Sequence, residues 1–195
     1  MSQFIDSFLY NIRKEFHNVD VSQLIIYMII IAVIVHIGIF LYTGKKKQKI
    51  NVSTEIMIIL LMWYIGLVAG VTYFNRQPGS VGKVFQTKFL WWEDNMDQNV
   101  TNVLNIMLFV PFGMLIWSLK GKTRAFNKII VIICNSFLFG LIIEGMKYVT
   151  QRGYFEVDNI EGNIIGALMG AFILYLTGLI FRKEEGTDSE EIREK

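Results

Sequence analysis

The sequence predicts an all-α polytopic membrane protein of five transmembrane helices, and three observations carry that expectation. Five apolar runs approach or reach the ~20 residues that a helix needs to cross a bilayer. Hydrophobic residues make up 53% of the chain with glycine left out, against about 45–50% with glycine included in soluble domains. No ten-residue unit alternates with period two, so a closed β-barrel, the other structure able to span a membrane, is not expected.

In chain order, Phe4, Ile5, Phe8, Leu9, Ile12 and Phe16 recur at helical spacing, with Asp6, Asn11, Arg13 and Lys14 between them. That pattern predicts an amphipathic helix lying in the membrane interface. Charges at Asp6, Arg13, Lys14, Glu15 and Asp20 precede the first long apolar run and no small-residue cleavage site follows it, so a cleavable signal peptide is not expected. The five predicted spans are Leu24 to Tyr42, Ile56 to Phe74, Val103 to Leu119, Ile129 to Val149, and Ile160 to Phe181. The longest connection, Asn75 to Asn99, carries Trp91-Trp92-Glu93-Asp94, and paired tryptophans suit the aromatic belt at the water interface. The division expected is residues 1–50 (amphipathic helix, first span, basic loop), 51–183 (a four-helix membrane domain with the first span peripheral to it) and 184–195 (a charged tail).

Orientation follows from lysine and arginine in the short loops. Lys45, Lys46, Lys47 and Lys49 follow span 1, Lys120, Lys122, Arg124 and Lys128 follow span 3, and Arg182, Lys183, Arg193 and Lys195 follow span 5. These hold twelve of the 19 basic residues. All fall on one side, which places the amino terminus outside, the carboxyl terminus in the cytoplasm and the chain in the cell membrane.

Two features concern packing. Gly162, Gly166 and Gly170 recur every four residues in span 5, and Gly66 and Gly70 do so in span 2; small residues at this interval let helix backbones approach closely in lipid. Pro111-Phe112-Gly113 near the middle of span 3 removes a backbone donor and predicts a kink. Asn99, Asn102 and Asn105 lie three apart and share one face upstream of it.

The residues that bear chemistry gather at the facing ends of spans 4 and 5. Glu144 and Lys147 are one turn apart. A polar run follows, with Arg152, Glu156, Asp158 and Asn159, and then Asn163 in span 5. Ionisable groups near a bilayer cost several kcal/mol each, so they face protein or water and mark functional positions. With Asn105 from span 3, the candidate binding set is Asn105, Glu144, Lys147, Arg152, Asp158 and Asn163. Spans 4 and 5 are antiparallel neighbours across a short connection, so these groups can converge in one outer-leaflet pocket.

Asn105, Pro111-Phe112-Gly113, a span with Glu144, then Arg152-Gly-Tyr-Phe-Glu-Val-Asp158, Asn163 and Gly166 together resemble the VanZ-like family, over roughly Thr101 to Leu176. That family is named for a membrane protein linked to teicoplanin resistance in Gram-positive bacteria, so the resemblance implies an antibiotic-resistance or related cell-envelope role. Two positions depart from the family's usual pattern: Lys147 stands where Gln is common, and Glu156-Val157-Asp158-Asn159 replaces a more acidic run.

The residues leave several readings of the cluster open. In one, Glu144, Lys147, Arg152, Asp158 and the asparagines satisfy each other and only hold helices together. In another, Lys147 and Arg152 take the phosphate or carboxylate of a lipid or cell-wall-linked head group, with Tyr148, Tyr154 and Phe155 as walls. In a third, an envelope enzyme acting on a lipid-linked substrate uses Glu144 and Asp158 as acid and base. The partners expected are membrane lipids, a lipid-linked cell-wall precursor or a lipoglycopeptide, with a homo-oligomer open and no nucleic acid. The two histidines, His17 and His36, are far apart and no Cys/His/Asp/Glu group has metal-ligand spacing, so neither a metal nor another cofactor is expected. His36, alone in span 1, is expected to pack or to bond between helices. Cys134, the single cysteine, lies in an apolar run and forms no intrachain disulfide. Five spans are few for a transporter, and no inverted repeat is visible.

Overall fold

The computed structural model describes residues 2–16, 21–46, 51–74, 76–86 and 96–191. Trp91 to Asp94 and Lys47 to Lys49 lie outside these residues. The elements are α1 (Ser2–Phe16), α2 (Val21–Lys46), α3 (Val52–Ala69), a π-helical turn (Gly70–Phe74), β1 (Phe85–Gln86), α4 (Met96–Leu119), α5 (Ala125–Thr150), β2 (Phe155–Glu156) and α6 (Val157–Glu191). Five helices are long and apolar enough to cross a membrane, with spans Ile25–Thr43, Val52–Phe74, Asn99–Leu119, Ala125–Thr150 and Val157–Ile180. They match the five apolar runs to within about four residues at either end. The protein is therefore a multi-pass, all-α membrane protein. α6 continues through the acidic stretch to Glu191, where the sequence predicts only a charged tail.

Helix ends follow local chemistry. The Asn51 side chain accepts the Ser53 N–H at 3.3 Å and caps α3. α5 stops at Gln151, which takes a left-handed conformation (φ 56°) while its N–H bonds to the carbonyls of Lys147 and Tyr148. In α4 the helix runs unbroken through Pro111. The carbonyl of Leu108, next to the one the proline leaves without a donor, accepts the Tyr64 hydroxyl of α3.

α4 and α6 run parallel and form the centre of the bundle. A Cβ built on Gly166 would stand 2.0 Å from the Ile106 carbonyl oxygen, one on Gly170 2.0 Å from that of Val110, and one on Gly113 1.9 Å from that of Ala167. The contact is thus backbone against backbone from both sides, close enough for weak Cα–H···O bonds. Gly66 has a looser neighbour, Ile31 of α2, at 3.7 Å, and Gly70 meets nothing within 4 Å. Of the two repeats, it is the one in span 5, at Gly166 and Gly170, that forms a tight seam.

Around this pair, Val68, Phe109, Phe112, Ile116, Ile132, Ile143, Ala167 and Ala171 are buried together. The rings of Phe109, Phe112 and Phe139 pack with centroids 5.5–5.7 Å apart, Phe112 stacked on Phe139 and edge-on to Phe109. The opposite surfaces present Ile34, Phe40, Phe126 and Phe172 outward, as lipid-facing helices do. α2 is peripheral: none of its span is buried. It is tied to α3 by a bond between His36 Nδ1 and the Glu55 carboxylate. β1 and β2 pair in parallel, Phe85 opposite Phe155 with their rings 4.5 Å apart, so the segment after α3 lies along the α5–α6 turn.

Gly166→Leu should lower the stability of the detergent-solubilised protein by about 2 kcal/mol or more, the usual range for overpacking. Gly178→Leu, where nothing stands within 4 Å of the added carbon, should melt like wild type. Equal melting temperatures for the two variants would show that the seam does not exist.

Candidate functional site

The polar residues meet at one end of the bundle, where α4 and α6 begin and α3 and α5 end. Glu144 and Lys147 lie near the end of α5, one turn apart. Their side chains are 3% and 2% exposed, so the pair is shut off from water. Lys147 Nζ donates to Glu144 Oε1 at 2.7 Å and stands 3.8 Å from Glu156 Oε2. As a cation in the last turn, Lys147 also complements the negative end of the α5 dipole.

Asn159, in the first turns of α6, connects the pair to the other helices. Its Nδ2 donates to Glu144 Oε1 at 3.2 Å and to Glu156 Oε2 at 2.8 Å, while its Oδ1 accepts from Asn105 of α4. The amide therefore spends both protons on carboxylates and its oxygen on the facing helix. Glu144 Oε2 accepts the backbone N–H of Glu156 at 3.2 Å. With Lys147, Asn159 and this N–H, three protein donors engage the one carboxylate, which satisfies its oxygens and fixes its position.

The structure brings Asn105, Glu144 and Lys147 into one network. Asp158 is buried beside it, in the first turn of α6 rather than in the turn before, and its Oδ1 accepts the Asn159 N–H at 3.0 Å. Asn163, one turn deeper, is buried against α5, its Nδ2 2.8 Å from where a Cβ on Gly140 would stand. Gly140 makes the space that this amide fills. Asn99 and Asn102 are buried on α4 upstream of Asn105, as their spacing predicts.

Arg152 goes elsewhere. Its Nη1 donates to the carbonyls of Arg76 (3.1 Å), Phe74 (3.4 Å) and Tyr73 (3.5 Å), and its guanidinium lies 4.8 Å over the Tyr73 ring. These are carbonyls left over where α3 ends in its π-helical turn, so Arg152 caps α3 and ties it to the α5–α6 turn. Glu156 and Asn159 are part of the network although the sequence reading left them out of the set. Asn159 carried a usable signal, its four-residue spacing from Asn163; Glu156 carried none beyond its place in the polar run.

A cleft of about 260 Å³ opens next to the network, between α1, α3 and α4. Asn105 forms part of its wall, and Phe8 and Ile12 of α1 cover it on one side. Among the described residues, no group of three or more His, Cys, Asp and Glu is placed to hold a metal ion.

The sequence model of the VanZ/LLP1 family matches residues 24–181, most of the chain and all five spans. The chain belongs to the VanZ/LLP1 family. The match extends the resemblance, read over Thr101 to Leu176, back across the first two spans. No curated protein and no solved structure matches the chain.

Lys147→Met removes one partner of a buried pair and should destabilise the protein by about 3–5 kcal/mol. Adding Glu144→Gln should return most of that loss, a coupling read from a double-mutant cycle of thermal unfolding in detergent. Additive losses would mean that the two side chains do not meet.

Proposed function

We propose that this VanZ/LLP1-family protein acts in the cell envelope of Gram-positive bacteria by binding the polar head of a membrane lipid or lipid-linked cell-wall precursor. Its polar bundle end faces the exterior, and binding there underlies resistance to teicoplanin-type lipoglycopeptides. The observation that carries the reading is Asn105. It is bonded to the buried Asn159–Glu144–Lys147 network on one side and forms the wall of an open cleft on the other. The network holds this amide in place, so a head group entering the cleft meets a preorganised polar wall. Family membership supports the link to the envelope, and the basic loops support the orientation. The saturated Glu144 carboxylate favours binding over acid–base work, because its oxygens are already committed to protein donors.

Native mass spectrometry of protein released gently from membranes should reveal a retained envelope lipid. Asn105→Ala should lose it and melt at a lower temperature than wild type while remaining folded, because it leaves the buried Asn159 oxygen without its donor. A wild-type protein that carries no lipid would contradict the reading. For orientation, Ser80→Cys in a Cys134→Ser background should react with a membrane-impermeant maleimide in intact cells, and Lys122→Cys only after lysis. The reverse pattern would put the polar end in the cytosol.

A further inference from the structure

Arg76 is a cation at this end of the bundle that the Glu144–Lys147–Asn159 network does not use. Its backbone is fixed from two directions: its N–H bonds to the Tyr73 carbonyl at 3.2 Å, and its own carbonyl accepts from Arg152. Arg76 as a residue is half-buried, and no ion pair or side-chain hydrogen bond joins its guanidinium to another described residue. Nη1 lies 2.9 Å from where a Cβ on Gly153 would stand, a point that the Lys147 stem also approaches at 3.6 Å. The carboxylates nearby are committed: Glu144 and Glu156 to Lys147 and Asn159, and Asp158 Oδ1 to the start of α6. A guanidinium carries five donors in a rigid fork and keeps its charge at any physiological pH, so its donors remain available to an anionic ligand.

Arg76 is also one of the residues that line the cleft, and the cleft is graded. α3 and α4 are antiparallel, with Tyr64 bonded to Leu108 at mid-membrane depth, so Arg76 and Thr101 stand together at the bundle end. Between Tyr64 and Arg76 run the last turns of α3 and the π-helical turn that follows it. Over that length the wall changes from Arg76 and Thr101, past Leu104 and Asn105, to Met107 and Leu108. The π-helical turn at Gly70–Phe74 shifts Val71 and Thr72 into this wall, the kind of local irregularity that recurs at functional sites. Phe8 and Ile12 of the amphipathic α1 close the side, while Ile5 and Leu9 on the same helix stay exposed. A charged end, an apolar end and a length that runs with the membrane depth match an amphiphile. The volume, just under the roughly 300–1,000 Å³ of sites for drug-sized ligands, suits a head group and the first part of one chain.

We propose that the cleft between α1, α3 and α4 holds a membrane lipid by its phosphate, with Arg76 as the anion-binding residue and one chain lying against Leu104 and Leu108. The inference rests on the lipid-binding reading above and names its head-group chemistry and anchor. Asn105 and Thr101 border the phosphate; α1 is the cover over the upper chain.

The test is a native mass spectrometry titration of the full chain in detergent with dioleoyl phosphatidate, dioleoylglycerol and inorganic phosphate. Wild type should bind one phosphatidate. Arg76→Gln should weaken it at least ten-fold, Arg76→Lys less, and Leu104→Trp at least ten-fold with the arginine intact. Dioleoylglycerol should bind weakly and equally to wild type and Arg76→Gln. Inorganic phosphate should not displace the lipid at millimolar concentration. Phosphatidate binding that is unchanged in Arg76→Gln overturns the proposal, as does inorganic phosphate binding as tightly as the lipid. If Arg76→Gln keeps its lipid and Asn105→Ala loses it, the lipid-binding reading survives and the arginine anchor falls. If wild type binds neither phosphatidate nor any co-purified lipid, both fall. Melting curves for each variant separate lost binding from lost fold, and Leu104→Trp tests the chain site if the arginine variants do not fold.

Discussion

The arrangement depends on how near α4 comes to α6. Lipid tails are as apolar as leucine, so helices in a bilayer gain little from hydrophobic burial and associate through packing and hydrogen bonds. Gly113, Gly166 and Gly170 remove the side chains that would hold the two axes at the usual 8–10 Å. Asparagine is short, and Asn105 reaches Asn159 across the interface only because the backbones touch beside it. The seam is structural in itself, and its consequence is chemical: it lets an amide on one helix fix an amide on another.

From that bond the network spreads in an order set by charge. Asn159 hands its two protons to Glu144 and Glu156, Glu144 holds Lys147, and the Glu156 backbone closes on Glu144. Each ionised group also suits the helix end it occupies. Asp158 sits in the first turn of α6, Lys147 in the last turn of α5, and Arg152 over the open carbonyls of α3. Gly153 completes the fit, since a side chain there would run into Arg76. The result is a rigid polar floor at one bundle end, with a softer apolar cleft and its amphipathic cover alongside.

The helices were legible because hydrophobic length is a local property: an apolar run of some 20 residues has few alternatives in a chain that must hide its backbone from lipid. The glycine repeat of span 5 was legible as a seam for the same reason, although the similar pair in span 2 meets only Ile31 loosely. Asn105, Glu144 and Lys147 were legible as a group because burying such side chains requires company. Arg152 was not, since its partners are backbone carbonyls 76 to 79 positions away that leave no mark in residue identity. The short pairing of Phe85–Gln86 with Phe155–Glu156 was hidden likewise: two residues of strand carry no period, and the contact joins distant segments. At Pro111 the rule of a missing donor held, yet a hydroxyl from α3 bonds the neighbouring carbonyl and the helix continues.

The most direct test is a dipolar-recoupling measurement by solid-state NMR on the protein in lipid bilayers, with 15N at the Asn105 side-chain amide and 13C at the Asn159 side-chain carbonyl. A hydrogen bond between the two helices places these nuclei about 3–4 Å apart, which gives strong recoupling. Absence of recoupling, with the Asn105 amide exchanging freely with water, would mean that α4 and α6 do not bring their amides together, and the polar floor built on that bond would not exist.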